Sequence, residues 1–134
     1  MPTSVLLSVR PEFAEAILSG TKEYEFRRVL FRDRDVGRVV LYATQPVGRV
    51  VGEFEVAEVI SMEPHALWEA TQHASGIDKS YFDQYFQGQD IAHAIRVGVV
   101  YRYPTPLDLA RDLCIKHAPQ SYIYVDSDLA KACH

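Results

Sequence analysis

Lys22, Glu25, Arg27 and Arg28 fall within seven consecutive residues that also carry Tyr24 and Phe26. Lysine and arginine donors can hold a phosphate or a carboxylate, and a glutamate beside them can act as a general base or accept from the exocyclic amine of a base. The same residues can also form an ion network with no chemistry. Lys22 and Glu25 are the candidate catalytic pair. Lys22, Glu25, Arg27, Arg28 and Tyr42 are the candidate ligand-binding set, with Tyr122 and Tyr124 as further rings able to stack on a base. For RNA cleavage the base could be Glu25 or His93, and the cations would stabilise the charge developing on phosphorus. His93 sits on an apolar strand face, where a histidine is more often a satisfied structural residue.

These side chains need an element to present them. Residues 11–18 carry Pro11 at a helix start and Phe13, Ala14, Ile17 and Leu18 at helical spacing, and Gly20 supplies a left-handed end. Residues 21–29 then read as a strand. Strict alternation puts Lys22, Tyr24, Phe26 and Arg28 on one face and Glu23, Glu25 and Arg27 on the other. The aromatic face must turn inward, which leaves Lys22 at the mouth of a pocket.

Around this stretch the chain reads as strand over 4–9, 38–44, 48–60, 91–103 and 120–125. Helices are expected over 64–75, 79–87 and 107–116. Gly52, inside a long extended run, marks a bend or bulge. Tyr81, Phe82, Tyr85 and Phe86 repeat at helical spacing and read as core rather than as a ligand platform. The order β-α-β-β-β-α-α-β-α-β predicts an α+β domain over residues 1–125: a small antiparallel or mixed β-barrel of five to six strands flanked by three to four helices. Residues 126–134 read as a loose tail.

A chain of 134 residues fits one domain with a real core. No apolar run approaches the length of a membrane span, and the first residues carry no basic leader followed by an apolar block, so a cytoplasmic setting is expected. Cys114 and Cys133 have no CxxC or Cys/His neighbours, which argues against a zinc site; they could pair, but free thiols are expected in a reducing compartment. No Ser-His-Asp spacing, phosphate-loop motif or metal-ligand cluster is visible, and no cofactor is expected.

The net charge of −4 excludes indiscriminate nucleic-acid binding. Its distribution is uneven. Residues 27–49 hold six arginines against Asp33 and Asp35, whereas residues 50–95 hold eight acidic residues against Lys79 alone. Arginine's planar fork suits phosphates and stacked bases.

Five segments carry a family likeness: Ser8-Val9-Arg10-Pro11-Glu12-Phe13-Ala14, the Leu18-Ser19-Gly20-Thr21-Lys22 turn, Glu25-Phe26-Arg27-Arg28, the strand from Gly48 to Val56, and Ala118-Pro119-Gln120-Ser121-Tyr122. Together they resemble the ASCH family, whose fold is PUA-like. The resemblance implies a barrel of five or six strands, a cleft near the glycine-x-lysine turn, and a role linked to RNA or nucleotides. Family members include RNA-binding regulators, a ribonuclease and an amidohydrolase acting on N4-acetylcytidine. For that amidohydrolase the motif lysine maps onto Lys22, the nucleophilic threonine onto Glu25 and the catalytic glutamate near Ser75. A carboxylate at position 25 cannot do the work of a hydroxyl nucleophile. Three functions follow: an RNA- or nucleotide-binding module with a charged cleft; a hydrolase of RNA or modified nucleosides; or a protein-interaction barrel whose acidic region meets a basic partner.

Overall fold

The structure, a computed structural model, describes residues 3–126. The elements are β1 (Thr3–Val9), α1 (Pro11–Ser19), β2 (Tyr24–Arg27), β3 (Val36–Ala43), β4 (Arg49–Met62), α2 (Pro64–Thr71) with a 3-10 turn (Gln72–Ala74), α3 (Lys79–Tyr85), β5 (Ala92–Leu107), α4 (Leu109–Leu113) and β6 (Tyr122–Val125). Six strands and four helices in this order form the expected mixed α+β domain. The predicted tail from 127 onward lies outside the described residues. Cys114 is disulfide-bonded rather than free, which corrects the expectation for it; the expectation for Cys133 lies outside the described residues.

The strands make one sheet in the order β2-β5-β4-β3-β1-β6, with β1 and β3 parallel and every other neighbour antiparallel. The barrel is loose: β2 and β6 are the two ends of the row and do not pair. Long strands bend to curl the sheet. The β3–β4 register shifts between Leu41 and Tyr42, and the β4–β5 register between Val50 and Gly52. A side chain at Gly52 would meet the Tyr101 carbonyl and Leu18 at 2.7 Å, so the bend needs glycine for close approach.

Alternation on β1 and β3 fills the interior from both faces. Val5, Leu7, Val9, Val39 and Leu41 pack with α1's Ala14 and Ile17, and Leu6, Val40 and Tyr42 pack with Leu109 and Leu113 on the other side. A third cluster places Tyr24 and Phe26 under Trp68, Phe82 and Phe86, and so holds β2 beneath α2 and α3. β2 has only four residues and one hydrogen-bonded neighbour. Its place at the sheet's end depends on that aromatic packing.

Candidate functional site

The open seam between β2 and the β1/β6 end of the sheet is where the predicted charges gather. α1 ends on Gly20, at φ 90°, with Gly20 N–H donating back to Ala16 and Ile17 carbonyls. The Thr21 and Lys22 amides also donate to the Ala16 carbonyl. This tight reversal aims Lys22 inward before β2 begins. Glu23 then bridges two elements: its amide donates to the Ala74 carbonyl and its carbonyl accepts from Val97 N–H.

Lys22 is therefore not at the mouth. It is 2% exposed, and its Nζ donates to the Ser75 carbonyl at 2.7 Å while lying 4.8 Å from the Phe26 ring centroid and 5.1 Å from that of Phe13. Burial pulls its pKa from 10.5 down to about 8, with nearby Glu25 opposing the shift. The expectation of a strand residue at the mouth failed because residues 21–23 form a bend and irregular chain before β2 begins at Tyr24.

Glu25 and Arg27 share the other face of β2, as alternation predicts. Their side chains are 6% and 11% exposed, and Arg27 Nη1 meets Glu25 Oε2 at 3.1 Å. Arg27 Nη2 also donates to Ser121 Oγ at 2.5 Å, and Nη1 makes a longer contact of 3.4 Å to the Ser8 carbonyl. One guanidinium thus ties the β2 end to β1 and to the segment before β6. Side-chain bonds cross the seam that backbone pairing leaves open.

The resulting cavity holds about 420 Å³, a size suited to a small ligand or one nucleotide unit. Lys22, Glu25 and Phe26 line its depths, and Phe13, Ile77, Tyr81 and Tyr85 form an apolar wall. Arg10 and Arg28 stand at its edge, both exposed. Arg28 Cζ sits 4.7 Å from the Tyr85 ring centroid, and Arg10 donates to Tyr81 Oη at 3.2 Å. Tyr81 and Tyr85 lie nearly parallel, 6.3 Å apart.

Four of the five predicted site residues, Lys22, Glu25, Arg27 and Arg28, meet in this cavity. Tyr42 does not. It is 6% exposed and packs with Leu6, Val40 and Val50, because its position on β3 faces the interior. His93 pairs with Ser61 Oγ at 2.7 Å and does not line the cavity; partial burial, with Arg34 nearby, lowers its pKa. Tyr124 spends its hydroxyl accepting from the Arg32 and Asp33 amides, and Tyr122 packs edge-on against Phe31. Arg10 and Ser121 were not among the expected site residues; Phe82 and Phe86 are core as expected, but Tyr81 and Tyr85, expected to be core with them, stand half-buried on the cavity wall. A usable signal existed for the tyrosines: one helical face of α3 carries Tyr81 and Tyr85 while the next carries Phe82 and Phe86, and a hydroxyl favours the wet side. Among the described residues no three His, Cys, Asp or Glu side chains gather as metal ligands.

Residues 7–100 match the ASCH domain. The chain belongs to the ASCH domain family. The ASCH domain-containing ribonuclease of Zymomonas mobilis is 33% identical over 89 residues, covering 66% of this chain and 60% of that protein. Large ribosomal subunit protein uL22 of Ureaplasma parvum is 28% identical over 110 residues, covering 80% of this chain and 34% of that protein. The chain thus spans about a third of one relative's length and 60% of the other's. The crystal structure of ASCH from Zymomonas mobilis superposes with a TM-score of 0.87 at 25% identity, over 97% of this chain and 92% of that one. Lys22 lies within the matched residues, whereas Gln120 and Ser121, which line the same cavity, lie beyond them.

Proposed function

We propose that this ASCH domain binds RNA by taking one nucleotide into the seam cavity, base inward and phosphates at the rim. One observation carries this reading: Lys22 and Glu25 are both buried, both line the cavity, and both keep hydrogen-bonding capacity that the protein does not use. Among the described residues no fully buried side-chain nitrogen or oxygen lacks a partner, so the open Glu25 oxygen is one that the cavity reaches, where a ligand or water can meet it. Tyr81, Tyr85 and Phe13 offer faces for a base, and Arg10 and Arg28 suit phosphates. An overall acidic chain then makes local, selective contact rather than coating itself with nucleic acid.

RNA cleavage is the second reading. It is favoured by the name of the Zymomonas mobilis relative and by a lysine whose proton is exchangeable near neutral pH. Removal of an acyl group from a modified nucleoside has no such support, since a carboxylate occupies position 25 and Ser75 spends its hydroxyl on the Ile77 carbonyl.

Fluorescence anisotropy with short single-stranded RNA tests binding. Lys22→Met, which keeps the side chain's length and removes its charge, is expected to weaken affinity by about tenfold or more. Unchanged affinity in Lys22→Met and in Arg28→Ala would place RNA elsewhere or nowhere on this domain. Gel analysis of the same mixtures reads cleavage: products that persist undiminished in Lys22→Met would separate any nuclease activity from this cavity.

A further inference from the structure

The cavity is polar in a graded way. At depth, Glu25 would repel a phosphate, and Arg27 is already committed to Glu25, Ser121 and Ser8. At the edge, Arg10 and Arg28 are exposed. The uncharged end of a nucleotide therefore belongs inside, and its identity is set by what Lys22 and Glu25 can still bond.

Their remaining capacity is specific. Lys22 Nζ has one hydrogen bond, to the Ser75 carbonyl, so it has N–H groups to donate. Glu25 accepts only from Arg27, through Oε2; Oε1 is unengaged, and Oε2 keeps a second lone pair. The two residues are 2% and 4% exposed, so bulk water competes weakly. A complementary edge must offer two adjacent donors to a carboxylate and an acceptor to an ammonium.

Building on the reading that a base enters this cavity, we propose that the base it selects is guanine, with N1–H and the N2 amine on Glu25 and O6 on Lys22. Guanine alone among the four standard bases presents two adjacent N–H donors on its Watson–Crick edge. Adenine and cytosine place a ring-nitrogen lone pair beside their single amine, and uracil flanks its one N–H with two carbonyls. Each sets a lone pair against Glu25 and leaves a buried acceptor unpaired, which is how a polar site rejects a near-isostere.

The test uses the full chain and short oligouridylates carrying one central guanosine, adenosine, cytidine or inosine. Affinities come from equilibrium competition in the cold, with strand integrity checked by gel afterwards. The guanosine strand is expected to bind about tenfold or more tighter than the others, the scale of one bidentate base contact. Inosine, which lacks only the N2 amine, loses most of that preference. Glu25→Gln brings guanosine level with adenosine, and the inosine comparison on the unaltered protein decides the matter should that variant fail to fold. Equal affinity for all strands, preference for another base, or inosine binding as well as guanosine overturns the proposal. If binding still depends on Lys22 while showing no base preference, guanine falls and RNA binding in the cavity stands. If no strand binds, both fall.

Discussion

Two sets of charges on this domain are both paired at hydrogen-bond distance and differ in what surrounds them. At the cavity floor Arg27 meets Glu25 at 3.1 Å with both side chains almost wholly buried. On the outer surface Arg102 meets Glu15 at 2.6 Å and Lys79 meets Asp83 at 2.7 Å, with every partner at least half exposed. The shorter contacts are the weaker ones. Water already solvates the outer pairs in the unfolded chain and nearly as well in the folded one, so little is gained or lost when they form. At the floor each charge has given up its solvent and depends on its neighbour. Distance alone does not separate a charge pair on which the fold depends from one that solvent can replace; burial does.

The largest break in this comparison comes from Arg27. Arg27→Met leaves the Glu25 carboxylate buried without its partner and removes the bonds that cross the seam to Ser121 and Ser8. A loss of about 3–5 kcal/mol is expected, read as a fall in the urea midpoint. Adding Glu25→Gln to the same protein should restore part of it, because the orphaned charge is then gone. If Arg27→Met costs no more than removal of an outer partner, the floor pair is not desolvated as described.

Lys22 gives the next effect, and its sign is fixed by the direction of its shift. In the folded protein its amine titrates at about 8, against 10.5 when exposed. Between those values the unfolded chain holds a proton that the folded chain has released, so stability rises as pH climbs from about 8 to 10.5. The integrated rise from this group is roughly 3 kcal/mol, and below pH 8 the folded protein bears the burial cost of the charge in full. Lys22→Met lacks the rise. Urea midpoints of the two proteins across pH 7–10.5 isolate it, since their other titrating groups are shared; parallel curves would mean that Lys22 is solvated.

This contrast also explains what was legible in the sequence. The element order was readable because glycine and proline punctuation and the apolar periods agree from Pro11 through Gly20 and along β3 to β5. That Lys22, Glu25, Arg27 and Arg28 gather at one cavity was readable because they lie on one short segment with too many charges for a plain strand. Depth was not. Lys22 looked like a strand residue at a rim, and only the bend through residues 21–23 together with the Ser75 carbonyl, 53 residues away, buries it. Arg10 and Ser121 reach the cavity through contacts across the seam, which no local pattern encodes, whereas Tyr81 and Tyr85 share one face of α3 that the helical period did mark. Tyr42 failed for the converse reason: a tyrosine in an apolar run can be a stacking ring or core, and β3's inner face decided it.

Gly76 sharpens the account of how Lys22 is held. Its φ is +70°, and a methyl group there would stand 2.5 Å from Lys22 Cγ and 2.6 Å from its Cβ. Gly76→Ala therefore combines a left-handed backbone with displacement of the lysine stem, at a cost of about 2 kcal/mol. Gly88, at φ +82° with open space around its Cα, supplies the control. Gly88→Ala should show the backbone cost alone and leave RNA affinity unchanged, whereas Gly76→Ala should lower both stability and affinity. Equal effects of the two on RNA binding would break the link between Gly76 and the position of Lys22.

The smallest effect belongs to the outer pairs. Arg102 grips Glu15 through two nitrogens, Nη1 at 2.9 Å and Nη2 at 2.6 Å, a two-pronged arrangement with short contacts. If ideal geometry were enough, Arg102→Ala would be costly. Both partners are instead half exposed or more, so solvent replaces each lost bond and salt screens what attraction remains. The urea midpoint of Arg102→Ala is expected to match the parent within error at moderate salt, and RNA affinity to be unaltered because the pair does not line the cavity. A midpoint that drops as far as that of Arg27→Met would overturn the claim that burial, not distance, sets the worth of these charges.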